Sequence, residues 1–183
     1  RYIKVDQEQD LVNYLDCIGV VECGHVANPM PNKYAMYRNQ TALGEGEAAW
    51  YRSVVGAMNY YSCAARYGIS FPVSRLSQFS ARPTEGSKAA LLRVLAYLRS
   101  TPDFGLFGKW GCESDVVEVY SDSDHAGDRE GGTLSQTGMI ILLNGAPVHW
   151  RSVKQVSTAV SSACAEIYAL ADTVKQARLF KWR

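Results

Sequence analysis

The stretch "DVVEVYSDSD", residues 115–124, running on through "HAGD" to Asp128, decides how the rest of the chain is read. An apolar alternation ends in acids where a buried strand ought to continue. Aspartate is depleted in strands, and its charge is costly to bury unpaired. Two readings account for it: a surface turn, which favours aspartate, or a metal site, which needs it. At a two-residue period Glu118, Tyr120, Asp122 and Asp124 share one side, with Val117, Val119 and Ser121 on the other. Asp122 therefore follows the strand's polar side towards its end. Metal-assisted phosphodiester hydrolysis calls for such a placement: hard oxygen ligands on a rigid element, open to substrate.

Working outward, "TGMIILLNG" (137–145) and "PVHWRSV" (147–153) read as two further strands, with Asn144-Gly145 as the turn between them. The stretch from Ser161 to Trp182 then reads as an amphipathic helix, with Ser161 as its N-cap and Ile167, Leu170, Ala171 and Val174 expected inside. Glu166 falls in its first turns, beside the apolar stripe, where the helix dipole favours an acid. Carried by a helix packed on the sheet, it is a second carboxylate able to approach Asp122, as a two-metal site requires.

Upstream the period is helical. "DQEQDLVNYLDCIGV" predicts a short helix with Leu11, Tyr14, Leu15 and Ile18 inward, and residues 32–47 predict a loop after "ANPMPNK". A second helix is expected over 47–65, with Trp50, Val54, Ala57, Met58 and Tyr61 on one stripe. A third is expected in "PVSRLSQFSA" and a fourth in "PTEGSKAALLRVLAYLRS", with Leu91, Val94, Leu95 and Leu98 inward. Trp50, Tyr60 and Tyr61 are read as core rather than as base-stacking residues. Helices followed by three strands and a helix make the fold class α+β: a mostly helical region over 1–110 and a sheet-bearing region over 111–183.

Net charge is +1 but uneven. Residues 38–110 carry nine bases against four acids, whereas the segments on either side each sum to −2. A basic middle beside an acidic end points to phosphate contact near a cation site. Lys88, Arg93 and Arg99 on the fourth helix, with Arg151 and Lys154 near the last strand, are the candidate nucleic-acid contacts. The five cysteines form no CxxC pair, which argues against a zinc site or a disulfide framework and fits a reducing compartment. The longest apolar run, "MIILL", is too short to cross a bilayer, and no signal peptide is read, so an intracellular protein, cytoplasmic or nuclear and with no membrane partner, is expected. The chain opens on Arg1 and closes on "LFKWR" within a helical pattern, and is expected to be part of something longer. His125 reads as a turn residue and His149 as sheet packing. The serines at 161 and 162 lack the glycines of a nucleophile elbow.

"VYSDSDHAGD" followed by "TGMIILLNGAPVHWRSVKQVSTAVSSACAEIYALA" resembles the ribonuclease H-like region of copia-type retrotransposon polyproteins, which reads YSDADWAGD, TSGYVF, S/HW-S-KKQ and SSTEAEYIAL. "CIGVVECGHVANPMP", "YRSVVGAMNYYSCAARYGISFPVSRLSQF" and "PTEGSKAALLRVLAYLRSTPDFGL" resemble the same family's segment joining reverse transcriptase to ribonuclease H. The resemblance implies a helical connection followed by a partial ribonuclease H-like fold. It implies Asp122 as the first metal-binding aspartate, Glu166 as the helical glutamate and Asp124 as a lesser acid. Two Mg²⁺ ions (Mn²⁺ as a substitute) would then serve cleavage of the RNA strand of an RNA–DNA hybrid, recognised by shape and the 2′-hydroxyl. The remainder of the polyprotein is the other implied partner. The family's further metal-binding aspartates match nothing here, and Cys164, Thr133, Leu134 and "RYG" (66–68) depart from its pattern, so the stretch alone is expected to have little or no activity. The alternative is a non-catalytic remnant that holds nucleic acid through residues 38–110.

Overall fold

A computed structural model describes residues 2–20, 24–30, 35–37, 39–109, 116–124 and 133–180. The chain forms two compact units, Asp6–Gly105 and Arg1–Val5 with Leu106–Arg183. The first five residues thus group with the later unit, which the partition at 110/111 does not anticipate. The reason is a short antiparallel ribbon in which β1 (Tyr2–Val5) pairs with β2 (Leu106–Lys109), Tyr2 opposite Lys109. Four residues are too few to show a period, so neither strand announces itself in the sequence.

The helical unit holds α1 (Glu8–Cys17), α2 (Glu45–Ala64), α3 (Ser70–Ser77) and α4 (Glu85–Ser100). Its core is one cluster built from all four, in which Leu11, Leu15, Met58, Leu76, Leu91, Leu95 and Leu98 are fully buried. The predicted stripes of α1 and α4 face inward as the 3.6-residue period demands. On α2 Trp50 packs half-buried against the core, and its neighbour Tyr51 is fully buried, its hydroxyl donating to Leu76 O at 2.8 Å. Burial pushes that phenol up to about 12. Tyr61 is buried as expected, but Tyr60, one position round the helix, is 60% exposed and not core. The start of α4 is fixed by a reciprocal cap: Ser87 N–H donates to Thr84 Oγ1 at 3.3 Å, and Thr84 N–H donates to Ser87 Oγ at 2.9 Å.

The exit from α4 is held by Arg66, itself 4% exposed. Its guanidinium donates to the carbonyls of Thr101, Pro102 and Phe104 and to Thr101 Oγ1, and lies against the Tyr97 and Phe104 rings. These carbonyls lie just past the last turn of α4, outside any ladder, so a buried guanidinium fork satisfies them in place of water.

In the sheet unit β3 (Val117–Asp124), β4 (Gln136–Leu143) and β5 (Ala146–Lys154) form an antiparallel sheet in the order β3-β4-β5. Asn144 and Gly145 take φ of 52° and 78°, the left-handed pair that a two-residue hairpin needs. Asn144 also exchanges hydrogen bonds with Val116, which ties the start of β3 to that turn. The helix α5 (Ser162–Ala177) packs on β3 and β4, and Ser161 caps it by accepting from Cys164 N–H at 3.1 Å.

The inward face of α5 differs from the expected one. Ala165, Ala169 and Thr173, spaced four apart, are fully buried, whereas Ile167, Leu170 and Val174 are 63%, 52% and 43% exposed and Ala171 is exposed too. Small side chains let the helix axis come close to the sheet, so the contact follows the alanine row and turns the larger flank outward. Periodicity alone points to the bulkier stripe, because it weighs hydrophobicity and not closeness of approach.

Candidate functional site

The acids on β3 sit where the alternation predicts. Asp122 is opposite Gly138 and Asp124 opposite Gln136, both near the strand's end. Asp122 is exposed and Asp124 half-buried. Each has one carboxylate oxygen engaged by a backbone amide: Ser123 N–H donates to Asp122 Oδ1 at 2.8 Å, and Gln136 N–H donates to Asp124 Oδ1 at 2.5 Å. Both carboxylates are thus steadied from one side. Glu166, in the first turns of α5, is exposed.

One side chain links the strand to the helix. Gln155, directly after β5 and 9% exposed, places Nε2 3.1 Å from Ser123 Oγ, 3.1 Å from Thr137 Oγ1 and 3.0 Å from Ala165 O. The Ala165 carbonyl can only accept, which fixes the nitrogen end of the amide at this junction. Ser123 and Ala165 are the chain neighbours of Asp122 and Glu166, so the backbones bearing the two carboxylates are tied to one nitrogen. Ser123 and Thr137 point to the face that α5 covers, and the pleat sends Asp122 and Asp124 to the other face. Gln155 is the residue that sequence reading missed. A glutamine in a polar "KQ" step carries no periodic signal, and its role shows only once three elements surround it.

Among the described residues no three His, Cys, Asp or Glu side chains come together as a metal-binding group. Asp122, Asp124 and Glu166 therefore do not by themselves fit a pair of Mg²⁺ ions, each of which demands near-octahedral oxygen ligation. His125 and Asp128 lie outside the described residues.

The candidate nucleic-acid contacts are each placed. Lys88 Nζ lies 2.5 Å from Glu47 Oε1, and Arg93 Nε donates to Asn28 O at 3.1 Å. Arg99 Nη1 stands 2.9 Å from Asp16 Oδ1 as an ion pair. Arg151 on β5 is 3.7 Å from Asp172 of α5, and Lys154 closes β5. The hydrogen bond from Lys88, with its charge, holds the Glu47 carboxyl below its ordinary value, and the same bond raises the Lys88 ammonium.

The chain is 35% identical over 173 residues to the retrovirus-related Pol polyprotein from transposon RE1 of Arabidopsis thaliana, covering 93% of this chain and 11% of that protein. It is 41% identical over 123 residues to the corresponding polyprotein of transposon RE2, covering 67% and 8%. The chain belongs to the copia-type retrotransposon Pol polyproteins. It spans about a tenth of the length of these two relatives. A shorter relative, secreted RxLR effector protein 161 of Plasmopara viticola, is 41% identical over 128 residues, which cover 69% of this chain and 88% of that protein. No family model matches the chain, and no solved structure matches it. No helix among the described residues is long and apolar enough to cross a membrane.

Proposed function

We propose that this polyprotein segment contributes Asp122 and Glu166 to hydrolysis of the RNA strand of RNA–DNA hybrids during reverse transcription. The observation that carries the reading is the Gln155 junction, which ties the strand bearing Asp122 to the first turns of the helix bearing Glu166. A strand-end aspartate and a helical glutamate are the hard-oxygen donors that a cation at a scissile phosphate takes. The junction ties their backbones, while the pleat turns Asp122 to the sheet face away from α5, so the segment as it stands does not bring the two carboxylates together. The set is incomplete among the described residues, and the Mg²⁺ or Mn²⁺ requirement is part of the proposal. Binding of the hybrid would rest on backbone shape and 2′-hydroxyls.

A fluorogenic hybrid with Mg²⁺, then Mn²⁺, tests this. The chain alone is expected to cleave feebly or not at all. A polyprotein containing it is expected to cleave, and to lose roughly a hundredfold or more with Asp122→Asn or Glu166→Gln. Hybrid cleavage by the polyprotein that survives Asp122→Asn unchanged would end the proposal. The second reading, a binding module based on residues 38–110, gains no support from Lys88, Arg93 and Arg99, because each is engaged within its own unit.

A further inference from the structure

Between β5 and the flank of α5 opens a cavity of about 360 Å³, a size typical of small-molecule sites. Val153, Ala171 and the Tyr168 ring give it an apolar body. Arg151, Lys154 and Lys175 stand around it against the single carboxylate of Asp172, for a formal charge of +2. Gln155 lines it as well, and while Nε2 is committed to the junction, Oε1 is buried with no hydrogen-bond partner among the described residues. An unmet buried acceptor is destabilising, so the site favours an occupant that brings an N–H or O–H donor.

We propose that this groove binds a nucleotide unit, with its base inside and its phosphate on the basic rim. An exocyclic amine or ring N–H of the base donates to Gln155 Oε1. The base face lies along Tyr168, since aromatic rings stack on bases with little regard to sequence. The phosphate meets the cations of β5 and α5, which suit an anion of that geometry. An acidic peptide would satisfy the charge but leaves the flat apolar body unused. The inference does not rest on carboxylate chemistry, because Asp122 lies on the sheet face away from α5.

Titration of the chain with adenosine monophosphate, adenosine, inorganic phosphate and a short oligoadenylate, followed by isothermal calorimetry, tests the proposal. Saturable binding of the monophosphate or the oligonucleotide is expected, with adenosine and phosphate each weaker. The ratio of the first two tells whether a free nucleotide or a unit of a strand is the natural occupant. Ala171→Trp, at an exposed position on the groove wall, is expected to abolish binding with the circular dichroism spectrum unchanged. Lys175→Glu is expected to weaken it roughly threefold to fivefold, and Asp122→Asn to leave it unaltered. Absence of saturation by either nucleotide ligand, phosphate binding as tightly as the monophosphate, or full affinity in the Ala171→Trp chain would overturn the inference. Loss of hybrid cleavage in Asp122→Asn with intact nucleotide binding would separate this site from the catalytic reading.

Discussion

The helical unit and the sheet unit solve burial differently. In the helical unit four helices send leucines, valines, a methionine and two tyrosines into one cluster, so its large apolar residues are mostly consumed by its own core. In the sheet unit α5 presses two alanines and a threonine on the sheet and leaves Ile167, Leu170 and Val174 facing out, beside an edge strand with no partner on its outer side among the described residues. The first region is closed by its own sequence. The second leaves an apolar flank uncovered among the described residues.

The largest test sets one core against the other surface. Leu95→Ala removes a fully buried side chain from the helical cluster and is expected to cost about 2–5 kcal/mol. Leu170→Ala, on the outward flank of α5, is expected to change stability by no more than about 0.5 kcal/mol. Urea unfolding followed by circular dichroism measures both. A large loss for Leu170→Ala would mean that the flank is already covered, and the contrast between the units would fail.

Next in size is Arg66→Ala. Four acceptors at the end of α4 lose a charged donor in a nearly water-free setting, and the expected cost is about 2–4 kcal/mol. Arg66→Lys is expected to recover only part of this, since an ammonium cannot reproduce the planar fork. Equal stability of the lysine variant and the original chain would show that charge, and not fork geometry, holds this exit.

How much of this was legible beforehand follows from what each element contributes. The stripes of α1 and α4 were readable because a helix buried on one side must repeat near 3.6 residues, and Leu91, Val94, Leu95 and Leu98 do so. Asn144-Gly145 was readable because few other pairs tolerate two left-handed residues. The β1–β2 ribbon was not, because four-residue strands brought together across a hundred residues leave no local trace. The face of α5 is not legible from periodicity, because closeness of approach favours alanine over isoleucine there. For the site, the side of β3 that bears Asp122 and Asp124 was visible from alternation. The Gln155 junction was not, since a lone buried amide shows its role only in three dimensions. The roles of Asp122, Asp124 and Glu166 come from family resemblance and await the cleavage assay.

A gain of stability is expected at the other end of the scale. Ser161 caps α5 by accepting from Cys164 N–H, but Cys164 offers no carboxylate to return the bond to the Ser161 amide. Cys164→Glu supplies it and places an acid in the positive first turn, for about 0.5–1 kcal/mol. Thermal unfolding of the sheet unit's signals should shift upward. An unchanged midpoint would indicate that the start of α5 frays regardless of its cap.

The smallest effect concerns whether the helical unit's bases are truly committed. With the Glu47 carboxyl held low by the Lys88 hydrogen bond and charge, the pair's contribution is present above the ordinary carboxylate range and is lost as pH falls through Glu47's depressed value. At the alkaline end Lys88 is raised, chiefly by the same bond, so its contribution persists through the ordinary lysine range and disappears as pH rises past the raised value. Carbon-detected NMR titration of Glu47 should therefore give a midpoint that moves up in Lys88→Met, with only a slight change in melting temperature because both groups are solvent-screened. A Glu47 midpoint identical in the two chains would mean that the pair does not form in solution. Lys88 would then be available to a phosphate, and the closed helical unit would regain its claim to hold nucleic acid.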